Sequence, residues 1–334
     1  MKRAAAVALV LGLLAACAGD GGRDGATPPP APRYPLDGTL RLNHIQVLGT
    51  HNSYHVAPPA GPSLTPERDI TQSSLTVQLD QQSVRQIELD VHATPGGPLS
   101  VFHLRGDEGT TCPTLVQCLL EVRAWSDRAR GHLPVFVLIE PKHELGALVD
   151  GLAVDAEVRS VFRPEQLVTP DDVQGAWPSL RQAVQEGGWP LLGAARNKVV
   201  VVYTDDVLTR AAYTSNETSL QGRAMFVYAG AASPIGAFAS VPDARLDSAR
   251  IASLVASGFI VRTRADDAGV EARANDASRA TAALASGAHL VSTDYPVPAP
   301  SGYVVRPPGV PARCNPVTAP PATPCTPQDV ENLG

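Results

Sequence analysis

Glu88 and Asp90 stand two apart in Gln86-Ile87-Glu88-Leu89-Asp90-Val91. On an extended strand both carboxylates leave the same face, with their origins roughly 6–7 Å apart. Ile87, Leu89 and Val91 point the opposite way, which makes the surroundings half-buried. Two carboxylates held there repel each other, and each is costly to desolvate unless a cation neutralises it. Glu140 in Ile139-Glu140-Pro141-Lys142 and the amide oxygen of Asn52 complete an all-oxygen set suited to a hard divalent ion. Calcium tolerates such open, irregular geometry better than magnesium, so Ca²⁺ is expected and Mg²⁺ is the lesser candidate. The competing arrangement is an acidic pair bridged by Arg262 or Arg264.

His51 follows Leu48-Gly49-Thr50, and His103 follows Val101-Phe102. Two imidazoles on either side of a phosphodiester suit general acid–base work near neutral pH. His44, His55, His92, His132, His143 and His289 are read as structural, with His55 and His92 close enough in sequence to support the site. There is no Gly-x-Ser-x-Gly elbow and no glycine-rich loop ending in Lys-Ser/Thr, so serine hydrolase and nucleotide-binding chemistry lack support.

These groups need a scaffold that brings strand ends together. Eight short runs rich in β-branched residues fit parallel strands covered on both faces: His44–Leu48, Gln86–Val91, Leu99–His103, Val135–Glu140, Lys198–Tyr203, Ala224–Tyr228, Phe259–Arg264 and His289–Thr293. They span about 250 residues, the usual extent of a (β/α)₈ TIM barrel, in which catalytic groups sit at the carboxyl ends of strands. An open doubly wound sheet is the alternative. Helical spacing over Pro113–Arg130, Asp247–Ser257 and Asp276–Ser286 predicts outer helices. The first four runs carry His51, Asn52, Glu88, Asp90, His103 and Glu140, and they are expected to be neighbours in space.

At 334 residues and 44 % hydrophobic, the chain can bury one barrel-sized core. A net charge of −6 gives no basic surface for nucleic acid. Met1-Lys2-Arg3 and the apolar run to Ala16 read as a signal peptide, residues 1–16. Leu14-Ala15-Ala16-Cys17 resembles the bacterial lipoprotein cleavage box, with Cys17 becoming the lipid-modified N-terminus. The Gly/Pro-rich residues 17–40 then form a tether, residues 41–300 the barrel, and residues 301–334 a tail. An exported, membrane-anchored bacterial lipoprotein is expected, as a monomer. Without Cys17 four cysteines remain, and Cys112–Cys118 and Cys314–Cys325 are the favoured disulfides of three possible connectivities.

Gly49-Thr50-His51-Asn52-Ser53-Tyr54, Glu88-Leu89-Asp90-Val91, Phe102-His103 and Ile139-Glu140, in that order, resemble the catalytic half of phosphatidylinositol-specific phospholipases C, calcium-dependent bacterial branch. The likeness continues through Arg262-Thr263-Arg264-Ala265-Asp266, Ser292-Thr293-Asp294-Tyr295-Pro296 and Arg313-Cys314-Asn315-Pro316, so it covers most of the chain after about residue 40. It implies that Asn52, Glu88, Asp90 and Glu140 hold calcium. It also implies that the inositol 2-hydroxyl of phosphatidylinositol attacks its own phosphorus, releasing diacylglycerol and a 1,2-cyclic phosphate. His51 then stabilises the pentacovalent phosphorus or helps remove the proton, His103 protonates the leaving oxygen, and Lys142 and Arg264 are candidates for phosphate or inositol contact, the alternatives being a solvated lysine and a barrel salt bridge. Two rivals remain: a glycerophosphodiester phosphodiesterase, which normally opens with His-Arg-Gly, and a non-catalytic lipid- or sugar-binding lipoprotein.

Overall fold

A computed structural model describes residues 34–59, 69–143, 147–204, 210–306, 312–321 and 324–331. They all belong to the unit Pro32–Gly334. The signal peptide, Cys17 and all of the tether before residue 34 lie outside them. Among the described residues no helix is long and apolar enough to cross a membrane.

Among the described residues ten strands form one sheet: β1 (Ile45–Thr50), β2 (Gln86–His92), β3 (Ser100–Val101), β4 (Val135–Pro141), β5 (Val199–Tyr203), β6 (Met225–Val227), β7 (Phe238–Ser240), β8 (Ile260–Arg264), β9 (Leu290–Thr293) and β10 (Ala312–Cys314). Eight run in the order β6-β5-β4-β2-β1-β9-β8-β7, and every pairing along that path is parallel. A parallel bridge between Tyr228 and Phe238 joins the two ends, giving the barrel. β1, β2 and β5 are buried along their whole length, which explains runs such as Val199-Val200-Val201-Val202.

Two sequence expectations fail here. Leu99–His103 is not a barrel strand: only Ser100–Val101 is extended, antiparallel to the end of β2 and off the path. The eighth position is taken by Phe238–Ser240, flanked by small residues and too short to register as a β-branched run. β4 therefore pairs directly with β2.

The outer helices form close to where the periodicity predicts them, at Leu115–Arg128, Ser248–Ala256 and Ser278–Ala285. The Thr114 side chain accepts from the Gln117 N–H to start the first. The barrel interior is graded along its axis. Trp189, Phe226 and Phe238 pack together, with Trp189–Phe238 and Phe226–Phe238 centroids at 5.5 and 5.0 Å, and Phe136 of β4 joins them at 6.4 Å from Phe238. Phe136 lies opposite Gln86 in register, Leu138 opposite Glu88, and Glu140 opposite Asp90. The same inward row thus starts in an aromatic floor and ends in acid at the carboxyl mouth.

The C-terminal segment is built into the barrel wall. β10 pairs antiparallel with Ile45–Val47, while β2 pairs with β1 at Gly49. A Cβ at Gly49 would collide with the Gln86 amide. The two favoured disulfides are both present, with Cα–Cα separations of 5.2 Å for Cys112–Cys118 and 6.2 Å for Cys314–Cys325. Beyond them, Glu331 accepts two bonds from the buried Arg85 guanidinium at 2.8 and 2.9 Å. Arg85 also donates to the carbonyls of Leu79 and Val84. Glu331→Ala leaves that guanidinium buried and half-paired, and should lower unfolding free energy by about 3–5 kcal/mol in urea titration. A loss below about 1 kcal/mol would contradict the buried pair.

His289 is buried with both ring nitrogens engaged: Nδ1 accepts from the Val261 N–H at 3.1 Å, and Nε2–H donates to the Asn43 carbonyl at 2.9 Å. That pattern requires the neutral ring, and burial pushes it down to about 4. The unfolded ring takes a proton near 6.5 and the folded one does not, so stability is complete above about pH 6.5 and falls as pH drops toward 4. The loss is on the order of 3 kcal/mol. A His289→Gln variant should flatten this slope in melting temperatures taken from pH 7 to 4.5, and an unchanged slope would count against it.

Candidate functional site

The carboxyl mouth collects the sequence-predicted groups from strands that are not consecutive. Glu88 and Asp90 lie within β2, Glu140 stands next to the end of β4, and His51 and Asn52 follow β1. Asn52 adopts a left-handed conformation (φ 43°), which turns the chain sharply after the strand. The turn is stitched to β2 through Ser53, whose N–H donates to the Glu88 carbonyl at 3.0 Å and whose Oγ accepts from the Glu88 N–H at 2.8 Å. Asn52 is thereby fixed beside Glu88.

Within the acidic group each carboxylate has a different partner. Arg262 reaches across the barrel from β8 and donates to Glu88 Oε2 at 2.7 Å, while its Nε is held by Ser292 at 2.8 Å. The Arg262 bridge considered above therefore forms, but it engages Glu88 alone. Lys142 carries its ammonium between the other two, hydrogen-bonded to Glu140 and 3.0 Å from Asp90 Oδ2. Asp90 is fully buried, and neither of its oxygens has an aligned hydrogen-bond donor. Burial and then the Glu140 charge push its carboxyl well up, against the pull of Lys142. Burial would also raise Glu140, but Lys142 outweighs it and holds that carboxyl down. The Tyr54 hydroxyl, buried near Asp90 without an aligned partner, is pushed up by burial and by that carboxyl.

This arrangement fits a divalent cation. Asp90, buried with the Lys142 ammonium and the Tyr54 hydroxyl beside its carboxylate, and Glu140 next to it in register mark a position that draws positive charge, which the Lys142 ammonium supplies here. Asn52, Glu88, Asp90 and Glu140 offer oxygen donors only.

Each candidate histidine has its own carboxylate. His51 Nδ1 lies 2.9 Å from Asp294 Oδ1, just past the end of β9, and Arg264 donates to the other Asp294 oxygen at 3.2 Å. Arg264 is thus engaged with Asp294 rather than with Glu88. Burial, followed by the Arg264 charge, lowers His51 to about 3, so its ring is neutral, with Nδ1–H on Asp294 and a lone pair on Nε2. Asp294 is itself anchored, its N–H donating to Asp266 Oδ1 at 2.9 Å.

His103 is not at a barrel-strand end. It sits in the loop after β3, behind Phe102, whose ring stacks on His92 at 3.6 Å. His103 Nδ1 lies 2.9 Å from Asp107 Oδ2, and His55 Nε2 lies 3.1 Å from Asp107 Oδ1. Burial would raise the Asp107 carboxyl, but the bonds from His103 and His55 hold it below the usual range. The two histidine groups share supports. The His55 N–H donates to the Asn52 carbonyl, the Gln72 N–H donates to the His55 carbonyl, and the Gln72 amide donates to the Asp294 carbonyl at 3.2 Å.

Two partners of the candidate histidines have no clear signal in the sequence. Asp294 lies in a motif quoted for its likeness but given no role, and it is 243 residues from His51. Asp107 carried no signal beyond its place four residues after His103. His55, close enough in sequence to support the site, shares the Asp107 carboxylate with His103.

Comparison with known proteins bears on the whole barrel. The family described as "Phosphoinositide phospholipase C, Ca2+-dependent" matches residues 40–101 and 97–316. No curated protein matches the chain. Among solved structures, a calcium-dependent phosphoinositol-specific phospholipase C from Pseudomonas sp. superimposes with TM-score 0.60 at 19 % identity, covering 84 % of this chain and 97 % of that one. A Ca²⁺-dependent phosphatidylinositol-specific phospholipase C from Streptomyces antibioticus gives TM-score 0.57 at 17 % identity, covering 77 % and 95 %. The structural likeness shows the TIM-barrel fold, and the family match, which spans most of the chain, supports phosphatidylinositol phospholipase activity. The chain belongs to the calcium-dependent phosphoinositide phospholipase C family and is homologous to phosphoric diester hydrolases of that type.

Proposed function

We propose that this protein cleaves phosphatidylinositol to diacylglycerol and inositol 1,2-cyclic phosphate. In that reaction the inositol 2-oxygen forms a bond to phosphorus and the bond from phosphorus to the glycerol oxygen breaks. His51, backed by Asp294 through Nδ1, takes the 2-hydroxyl proton on Nε2. His103, backed by Asp107 through Nδ1, delivers a proton from its other nitrogen to the departing glycerol oxygen. Lys142 and Arg264 supply positive charge at the mouth for the phosphate or the inositol hydroxyls. Asn52, Glu88, Asp90 and Glu140 would hold calcium. When bound, that ion supplies Lewis acidity to the 2-hydroxyl and neutralises charge developing on the phosphate.

The observation that carries this reading is the pairing of two histidines with separate carboxylates, His51 with Asp294 and His103 with Asp107, together with an acidic group already bridged by a cation, the Lys142 ammonium. Two imidazoles held in separate fields can act in opposite senses in one displacement. Cys17 would carry the lipid anchor, with the Gly/Pro-rich tether letting the barrel reach lipid on the outer side of the membrane across which it is exported.

Product analysis on phosphatidylinositol vesicles tests the reaction. Diacylglycerol and a water-soluble cyclic inositol phosphate should appear together in equal amounts. Phosphatidic acid with free inositol would place the cleavage on the other side of phosphorus and overturn the assignment.

A further inference from the structure

His55, His103 and Asp107 form a second cluster distinct from the oxygen-only group. His55 Nδ1 lies 2.6 Å from the Ile70 carbonyl oxygen, which can only accept, so Nδ1 carries the hydrogen. The other nitrogen, Nε2, then presents a lone pair toward Asp107 Oδ1 at 3.1 Å. Two acceptors at that separation in a site where His55 and Asp107 are each 1 % exposed must share a cation, either a proton or a metal. One ligand atom each from His55, His103 and Asp107 lies within 4.8 Å of the other two.

We infer that His55, His103 and Asp107 form a binding site for a borderline transition-metal ion of the zinc class, and that its occupancy shuts the enzyme off. Two imidazoles and one carboxylate are a donor set that zinc takes and calcium does not favour. The Nδ1–H bond from His55 to a backbone carbonyl is the support that fixes a metal-binding imidazole in its tautomer. His103 is partly open to solvent at its side chain (13 %), which leaves room for ion entry and a water as fourth ligand. The ion then holds the His103 ring as a ligand, and the ring can no longer deliver a proton. Binding itself does not depend on the reaction, and only its effect on turnover rests on the acid role proposed for His103.

The test uses the full protein saturated with calcium and titrated with cobalt(II), then with zinc. One cobalt per chain should bind with the visible d–d absorption of a low-coordinate site, and zinc should bleach it. Phosphatidylinositol turnover should fall in proportion to zinc occupancy. The absorption should vanish in His55→Ala and in His103→Asn, the second being partly exposed and expected to fold. Absence of the bands, or bands that persist in both variants, overturns the site. Zinc binding with unchanged turnover sustains the site and overturns the acid role of His103. An inactive His103→Asn alongside a wild type that binds no cobalt overturns the site and leaves the reaction standing.

Discussion

Replacing His103 with alanine should lower kcat/KM for phosphatidylinositol by about 10²- to 10⁴-fold, the range over which a positioned acid contributes. The loss should depend on the leaving group. With a synthetic inositol phosphodiester whose leaving group is a nitrophenolate, the oxygen departs without a proton, and the penalty should shrink by more than tenfold. His51→Ala should lose comparable activity on both substrates, because its proposed partner is the attacking hydroxyl. Equal losses for both variants on both substrates would contradict the assignment. His103 lies off the barrel path, so its loss should leave the melting temperature within a few degrees.

Asp90→Asn should be nearly silent for the calcium-free fold and severe for the reaction. Burial and the Glu140 charge push the Asp90 carboxyl up against the pull of Lys142, so the charge that asparagine removes is a costly one, and asparagine keeps the shape of the side chain. Lys142 keeps Glu140 as a partner. The melting temperature without calcium should therefore change little. In the wild type, calcium at 100 times its dissociation constant adds about 2.7 kcal/mol of stability. In the variant that increment should vanish, together with activity at ordinary calcium levels. A variant that still gains stability from calcium would remove Asp90 from the ion site.

The sequence made seven of the eight barrel strands legible because β-branched runs report burial on both faces, as in Val199–Tyr203. It missed Phe238–Ser240, three residues among alanines and glycine, whose extended state is set by the barrel closing around it. It misplaced Leu99–His103, where apolar alternation signals a strand but cannot tell a barrel member from a short antiparallel addition. The acidic group was readable since Glu88 and Asp90 lie within one strand and Glu140 ends the next long β-branched run. The pairing His51–Asp294 was not, because it joins residues 243 apart, and Arg262 was legible only as one of two possible partners for the acidic pair, since which arginine reaches Glu88 depends on which strands face each other. Charge complementarity across a closed barrel becomes specific only once the strand order is known.

Phosphorus NMR of phosphatidylinositol turnover, followed in excess calcium and again after chelator, bears most directly on the central claim of a calcium-assisted cleavage at this mouth. The lipid resonance should convert to that of inositol 1,2-cyclic phosphate, stop when chelator is added and resume when calcium is restored. Continued conversion in chelator, or no phosphorus-containing product under any metal condition, would contradict it.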